Sequence, residues 1–101
     1  MEESTRDSGR GPVYEWNPKI ASRTLEDTAF ILYQSRMVSL NEVGTFIWER
    51  FQEPAGVWEV VDAVVEHFET TREQASSDVD GFVRQLAERE LVVVRGEAPP
   101  P

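Results

Sequence analysis

Three short β-prone runs, separated by two-residue polar connections, constrain the fold of this 101-residue chain more than any other feature. The connections are Glu26-Asp27 and Gln34-Ser35, and the runs cover residues 20–25, 28–33 and 36–40. Connections this short join neighbouring antiparallel strands, so the pattern predicts a three-stranded meander. Because a lone sheet of this size is not stable in water, other parts of the chain must cover one of its faces.

Three helical patterns follow and can supply that cover. The first starts near Ser39, which forms a capping box with Glu42, or near Asn41, a second candidate N-cap. Gly44 lies in its first turn, where glycine costs about 1 kcal/mol relative to alanine, so a structural reason for it is expected. We expect that reason to be the close approach of backbone or an aromatic ring.

The second and third helices have clear apolar stripes. From residue 57 to about 68, apolar residues recur at i, i+3, i+4 and i+7, the spacing of one helix face. The third helix begins at Thr70 or Thr71, since each has Glu or Gln three residues later. Its predicted buried stripe consists of Ala75, Val79, Phe82, Val83 and Leu86.

The order of these elements predicts an α+β fold. An N-terminal three-stranded antiparallel sheet is followed by a three-helix, winged helix-turn-helix-like bundle, with residues 91–95 as a short strand, and the domain spans 19–95. Residues 1–18 are rich in Ser, Gly, Pro and charge, which predicts a flexible N-terminal arm. Within the arm, Tyr14 and Trp16 either fold back onto the domain edge or form a small docking segment. We expect residues 96–101 to form a disordered tail.

Charge and composition exclude several classes of function. The net charge is −9 and no basic patch is apparent, which argues against nucleic acid as a partner. No apolar run approaches the roughly 18 residues of a membrane span, and the N-terminus lacks the apolar stretch of a signal peptide. The chain has no cysteine, so disulfides and thiolate metal sites are impossible. We therefore expect a cytoplasmic protein that does not bind membranes.

No set of residues in the sequence suggests catalysis or a cofactor. The one histidine, His67, lies late in the second helix, where a surface position near the helix C-terminus is typical. A metal site would require several histidines or clustered carboxylates at ligand spacing. Trp48 and Trp58 are expected in the core, Trp58 being one step off its helix stripe. The sequence predicts a binding protein without enzymatic activity, cofactor or metal.

The third β-prone run offers a way to bind. The outer strands of a meander each have an open edge, which natural proteins usually protect with proline, charge or bulges. The run 36–40 has no proline and a single charge, Arg36. An unprotected edge beside a helix groove is the geometry that accepts an extended peptide as an added strand. Alternatively, the arm or a second copy of the chain could cover the edge, the latter giving a homodimer.

The segment joining the third run to the first helix contains Leu40-Asn41, Val43-Gly44 and Ile47-Trp48 in close succession, and it resembles a motif of the PqqD-like family. These proteins are the precursor-peptide recognition elements of pathways for ribosomally synthesised, post-translationally modified peptides. The family motif is Leu-Asn, then Val-Gly, then Ile-Trp, matched here by Leu40-Asn41, Val43-Gly44 and Ile47-Trp48. The resemblance covers residues 19–93, with further matches at Gly56, Val57, Glu59, Asp78-Val79, Phe82, Leu86 and Leu91-Val92. It departs at Glu90, where the family usually has glycine.

The resemblance implies a non-catalytic protein that binds the leader segment of a precursor peptide. The leader would add to the third strand, in a groove beside the third helix, and the chain would present the peptide to a modifying enzyme or leader protease. Main-chain groups of the third strand would carry the ladder, namely those of Arg36, Met37, Val38 and Ser39. One flank of the third helix is expected to line the groove, namely Asp80, Val83, Arg84 and Ala87. The opposite flank competes for this role, with Asp78, Gln85 and Arg89.

Two other classes of function remain open at this point. A winged-helix transcription regulator would need Lys and Arg on its recognition helix to meet phosphates, and the third helix is acidic. A structural subunit would dock onto an enzyme without binding a peptide.

Overall fold

A computed structural model describes residues 12–97 of the chain. The described residues form strands and helices in the order β1 (Pro12–Trp16), β2 (Ser22–Leu25), β3 (Thr28–Tyr33), β4 (Arg36–Ser39), α1 (Glu42–Arg50), β5 (Ala55–Gly56), α2 (Val57–Phe68), α3 (Arg72–Glu88) and β6 (Val92–Glu97). They build two three-stranded sheets, with strand orders β2-β3-β4 and β5-β1-β6. The α+β class is confirmed, whereas the likeness of the helices to a winged helix-turn-helix stays a prediction.

The predicted meander is confirmed as the β2-β3-β4 sheet, with β3 in the centre. Both strand pairs are antiparallel, and β3 pairs Ile31 with Val38 of β4 on one face and Leu32 with Met37 on the other. The connection between β3 and β4 has positive φ at both Gln34 and Ser35. A two-residue hairpin turn of this hand matches the twist of the flanking strands.

The second sheet corrects the prediction of a flexible arm over 1–18. Residues 12–16 form strand β1, which lies between β5 and β6. Tyr14 meets Phe51 edge to face at 6.2 Å, and Trp16 stacks on Trp48 at 4.9 Å between ring centroids. Aromatic burial at these two positions thus outweighs the polar composition around them, and both side chains fold back onto the domain as expected. Residues 1–11 of the predicted arm lie outside the described residues.

Strand β6 extends further than the predicted strand over 91–95. It runs to Glu97 because its partner β1 continues the ladder to Pro12, which pairs with Glu97. Residues 96–97, predicted to belong to the disordered tail, are therefore strand backbone. Residues 98–101 lie outside the described residues.

Of the two candidate caps of α1, the structure uses Asn41. Its side-chain oxygen accepts a hydrogen bond from the Gly44 N–H at 2.7 Å. Ser39 cannot be the cap because it belongs to β4. At the start of α3 the cap is Thr71, whose hydroxyl accepts from the Gln74 N–H at 3.1 Å.

Gly44 has the structural reason that the sequence analysis anticipated. A Cβ built at Gly44 would lie 3.3 Å from the Cζ atom of Phe82 on α3. It would also lie 3.1 Å from the capping oxygen of Asn41. The glycine therefore lets an aromatic ring of α3 pack against the first turn of α1.

The core lies between the β2-β3-β4 sheet and the helices, and continues to β1 and β6. Its largest fully buried side chains include Trp48, Phe51, Ile31 and Ile47. Trp48 is 1% exposed, which confirms its predicted place in the core. Trp58 is only partly buried, with its indole over Gly56, where a built Cβ would lie 2.9 Å from the indole nitrogen.

The end of α3 shows how the chain accommodates Glu90 at the family's glycine position. Glu90 has φ 58°, in the left-handed region. The Leu91 N–H donates to the Leu86 carbonyl at 2.9 Å, and the Glu90 N–H donates to the Ala87 carbonyl at 3.0 Å. These bonds form a Schellman motif, which favours glycine at the left-handed position. The helix ends as it would with glycine, but on a residue that is less suited to that backbone conformation.

Candidate functional site

Strand β4 is the outer strand of its sheet and has one edge without a partner strand among the described residues. It pairs with β3 on one side only, and its four residues are all exposed. Its sequence contains no proline, and Arg36 is its single charge, so the edge is only weakly protected against pairing. Within residues 12–97, the edge that the sequence analysis singled out is open.

The direction of the main-chain groups alternates along β4. The Leu40 N–H donates to the Ala29 carbonyl at 3.0 Å, which makes this a hydrogen-bonded pair. Since such pairs alternate in an antiparallel ladder, the register directs the amides of Val38 and Arg36 toward β3. The N–H and C=O groups of Met37 and Ser39 therefore face the open edge. Of the four predicted residues, Arg36, Met37, Val38 and Ser39, the register thus leaves two with main-chain groups that could pair with a peptide.

Thr45 closes the ladder at the end of β4. Its hydroxyl accepts from the Ala29 N–H at 3.0 Å and donates to the Leu40 carbonyl at 3.3 Å. The side chain thus bridges two backbone groups that have separated too far to bond directly. Thr45 is 6% exposed, so water has little access to this position. Without the hydroxyl, both backbone groups would therefore lose their hydrogen-bond partner.

A cleft of about 630 Å³ opens between the end of β4, the start of α1 and one face of α3. From β4 and the start of α1 it is lined by Ser39, Leu40, Asn41, Val43, Gly44 and Ile47. From α3 it is lined by Ser77, Asp78, Gly81, Phe82 and Gln85. The cleft therefore adjoins the open edge, and its α3 wall is mostly polar with a single charge.

The structure places the predicted α3 flank elsewhere. Asp80, Val83, Arg84 and Ala87 line a separate groove of about 460 Å³ beside Pro12 and Tyr14 of β1. Asp80 and Arg84 form an exposed salt bridge there at 2.9 Å. These four residues are not brought together with β4, so the preferred flank was the wrong one for the groove beside that strand.

The packing of α3 explains the correction. The Phe82 ring lies against Gly44 of α1, while the fully buried side of the same helix consists of Ala75, Val79, Val83 and Leu86. Asp78 and Gln85, from the competing flank, consequently face the cleft beside β4. Sequence analysis missed Ser77 and Gly81 as lining residues and assigned Phe82 only to the core. The early glycine of α1 was the one indication in the sequence that an aromatic ring packs there.

The outer face of the β2-β3-β4 sheet is apolar and partly exposed. Met37 and Leu32 pair across β4 and β3 on this face and are 64% and 45% exposed. With Leu25 and Phe30 they line a shallow depression of about 510 Å³, whose one charged residue is Arg23. Of the residues of β4, Met37 lines this depression, whereas Ser39 lines the cleft beside α3.

The described residues hold no cluster of side chains suited to a metal ion. No group of three or more His, Asp or Glu side chains within residues 12–97 could hold a metal. His67 stacks on Phe46 with ring centroids 4.4 Å apart, which accounts for its position through packing. None of the helices in this part of the chain combines the length and apolar character that crossing a bilayer requires.

An open strand edge beside a helix-lined cleft defines a class of small domains that take up extended peptides by strand addition. The chain belongs to the PqqD family. The model of this family, described as coenzyme PQQ synthesis protein D, matches residues 28–92. The matched segment includes β3, β4 and all three helices, and so the edge and the cleft.

Two solved structures share the fold. TbiB1 in complex with the TbiA(beta) leader peptide has a TM-score of 0.71 and 26% identity, covering 84% of this chain and 99% of that one. The solution structure of the PqqD truncation of Methylobacterium extorquens PqqCD represents a functional, stand-alone recognition element for ribosomally synthesised and post-translationally modified peptides. It has a TM-score of 0.65 and 12% identity over 80% of this chain and 88% of that one, a likeness of fold alone. Among curated proteins, none matches the chain significantly.

Proposed function

We propose that this chain binds the leader segment of a ribosomal precursor peptide as a strand added to β4, without catalysing a reaction itself. The observation that carries the proposal is the open edge, where the main-chain groups of Met37 and Ser39 face away from β3 and Ser39 lines the cleft beside α3. Membership of the PqqD family and the likeness to TbiB1, whose structure contains a leader peptide, support it.

The geometry of the edge suits a short extended segment. Met37 and Ser39 together offer two donors and two acceptors, spaced about 6.8 Å apart along the strand. A peptide strand about 4.8 Å from β4 could pair with all four groups. Each net hydrogen bond contributes about 0.5–1.5 kcal/mol, so the ladder supplies a base affinity that does not depend on sequence. Side chains of the peptide that enter the cleft would supply the selectivity.

The bound leader would present the rest of the precursor to a modifying enzyme or a leader protease. The added strand exposes half of its side chains on the outer face, next to Met37 and Leu32, because side chains alternate along a strand. The apolar outer face and the leader together would then form one continuous surface for such an enzyme. The net charge of −9 and the exposed acidic side chains of α3 speak against the alternative of a transcription regulator.

A titration tests the proposal. We expect the synthetic leader of a precursor encoded beside this gene to bind with one-to-one stoichiometry by calorimetry. Amide exchange should slow at Met37 and Ser39, and far less at Val38, which is already paired. Sedimentation at the same concentrations distinguishes leader binding from a homodimer through the β4 edge. The absence of binding heat together with unchanged exchange at Met37 and Ser39 would refute the proposal.

A further inference from the structure

Gly81 is an unusual residue for its place in the fold. It lies in the interior of α3, a helix of 17 residues, where glycine is less favourable than every residue except proline. A cost of this kind is normally offset by close packing or by a backbone conformation that needs glycine.

Neither of these structural reasons applies to Gly81. A Cβ built at this position has no neighbouring atom within 4 Å, so a side chain would meet open space. Gly44 and Gly56 differ, because a Cβ there would lie 3.3 Å from Phe82 and 2.9 Å from Trp58. The backbone of Gly81 is ordinary helix, which alanine adopts more readily.

The open space beside Gly81 belongs to the cleft next to β4. Gly81 lines that cleft together with Ser77, one turn earlier, and Gln85, one turn later. Residues four apart lie above one another on a helix, so these three form a single row on the wall. The gap in the row lies between two polar side chains, with Asp78 as the only charge on the same wall.

We propose that Gly81 is a specificity-determining position that makes room for one large side chain of the bound leader. The inference rests on the proposed function, because the leader strand must lie on β4 for its inward side chains to reach α3. The surrounding hydroxyl, amide and carboxylate groups favour a long side chain that ends in a hydrogen-bond donor. Half of the leader's side chains face the cleft, and one of these fills the gap.

Substitution of Gly81 separates this role from a structural one. Gly81→Ala should raise the melting temperature by about 4–8 °C, since alanine has a much higher helix propensity than glycine. The same variant should bind the leader several-fold more weakly, and Gly81→Leu at least about tenfold more weakly. Ser76→Ala is the matched control, because Ser76 is exposed on α3 and lines a different groove. It should leave leader affinity unchanged.

A complementary change in the leader identifies the side chain. In an alanine scan of the synthetic leader, substitution at one position should weaken binding to the parent chain. The same substitution should change binding to the Gly81→Leu variant very little. Equal leader affinity for the parent, Gly81→Ala and Gly81→Leu would overturn the inference, as would a lowered melting temperature for Gly81→Ala. If the parent itself binds no leader, the proposed function fails, and the inference that depends on it fails too.

Discussion

Proline at position 37 tests whether the main chain of β4 carries the leader. The Met37 N–H faces the open edge, so Met37→Pro removes a donor to the leader without removing a bond to β3. Proline is tolerated at an edge strand when its missing N–H would have faced solvent, and Arg36 already has the extended backbone that a following proline requires. The fold should therefore persist.

The expected loss of affinity follows from one hydrogen bond and from the ring. A net bond of about 0.5–1.5 kcal/mol corresponds to a roughly 2- to 13-fold change in Kd. The proline ring adds to this, because it occupies the space that a strand at about 4.8 Å would enter. We expect leader binding to weaken at least about tenfold, measured by calorimetry on protein whose fold is verified by circular dichroism.

Two variants control the experiment. Met37→Ala removes the side chain but keeps the N–H, so it should bind the leader far more tightly than Met37→Pro. Val38→Pro removes a donor to Ile31 of β3 and should destabilise the sheet, because the Val38 amide faces inward. Strand addition at this edge is refuted if folded Met37→Pro binds the leader as tightly as Met37→Ala.

Further predictions concern the scaffold and the excluded partner. Thr45→Val should lower the free energy of unfolding by about 1–3 kcal/mol in chemical denaturation, because the Ala29 N–H and the Leu40 carbonyl lose their partner. Thr45→Ser keeps the hydroxyl and should not lower it. Equal denaturation midpoints for the two variants would contradict this role. Trp48→Ala should cost about 3–5 kcal/mol in the same assay, and an unchanged midpoint would be inconsistent with its burial. Glu90→Gly should raise the free energy of unfolding by about 1 kcal/mol, since it relieves a left-handed backbone, and a loss of stability would count against the Schellman motif. Duplex DNA should show no binding tighter than about 1 μM at physiological salt, and tighter salt-sensitive binding would favour a regulator.

The elements that the sequence predicted well are those fixed by local pattern. The meander followed from two-residue connections, and the observed strands lie within the predicted runs. The predicted bounds of helix α2 agree with the observed ones, because its apolar stripe repeats over three turns. Asn41 and Thr71 were both among the candidate caps, since capping depends on residues three positions apart.

The elements that the sequence did not predict depend on contacts between distant segments. Strand β1 is short and surrounded by polar residues, and it is held by β6, roughly 80 residues later in the chain. The same pairing extends β6 into the predicted tail. Composition describes the tendency of an isolated segment and contains no information about a partner strand so far away. Tyr14 and Trp16 were the only local indication that the arm packs on the domain.

The lining of the cleft depended on the rotation of α3, which its own sequence leaves open. The buried stripe of α3 has a polar flank on each side, and either could have faced β4. In the structure Phe82 lies against Gly44 of α1, on the side of α3 where Asp78 and Gln85 line the cleft. Asn41 caps α1 just after β4, and Thr45 ties α1 to β3, so the first turn of α1 adjoins both the open edge and the cleft. The early glycine of this helix lets Phe82 of α3 pack against it, and Asp78 and Gln85 line the cleft on that side of α3.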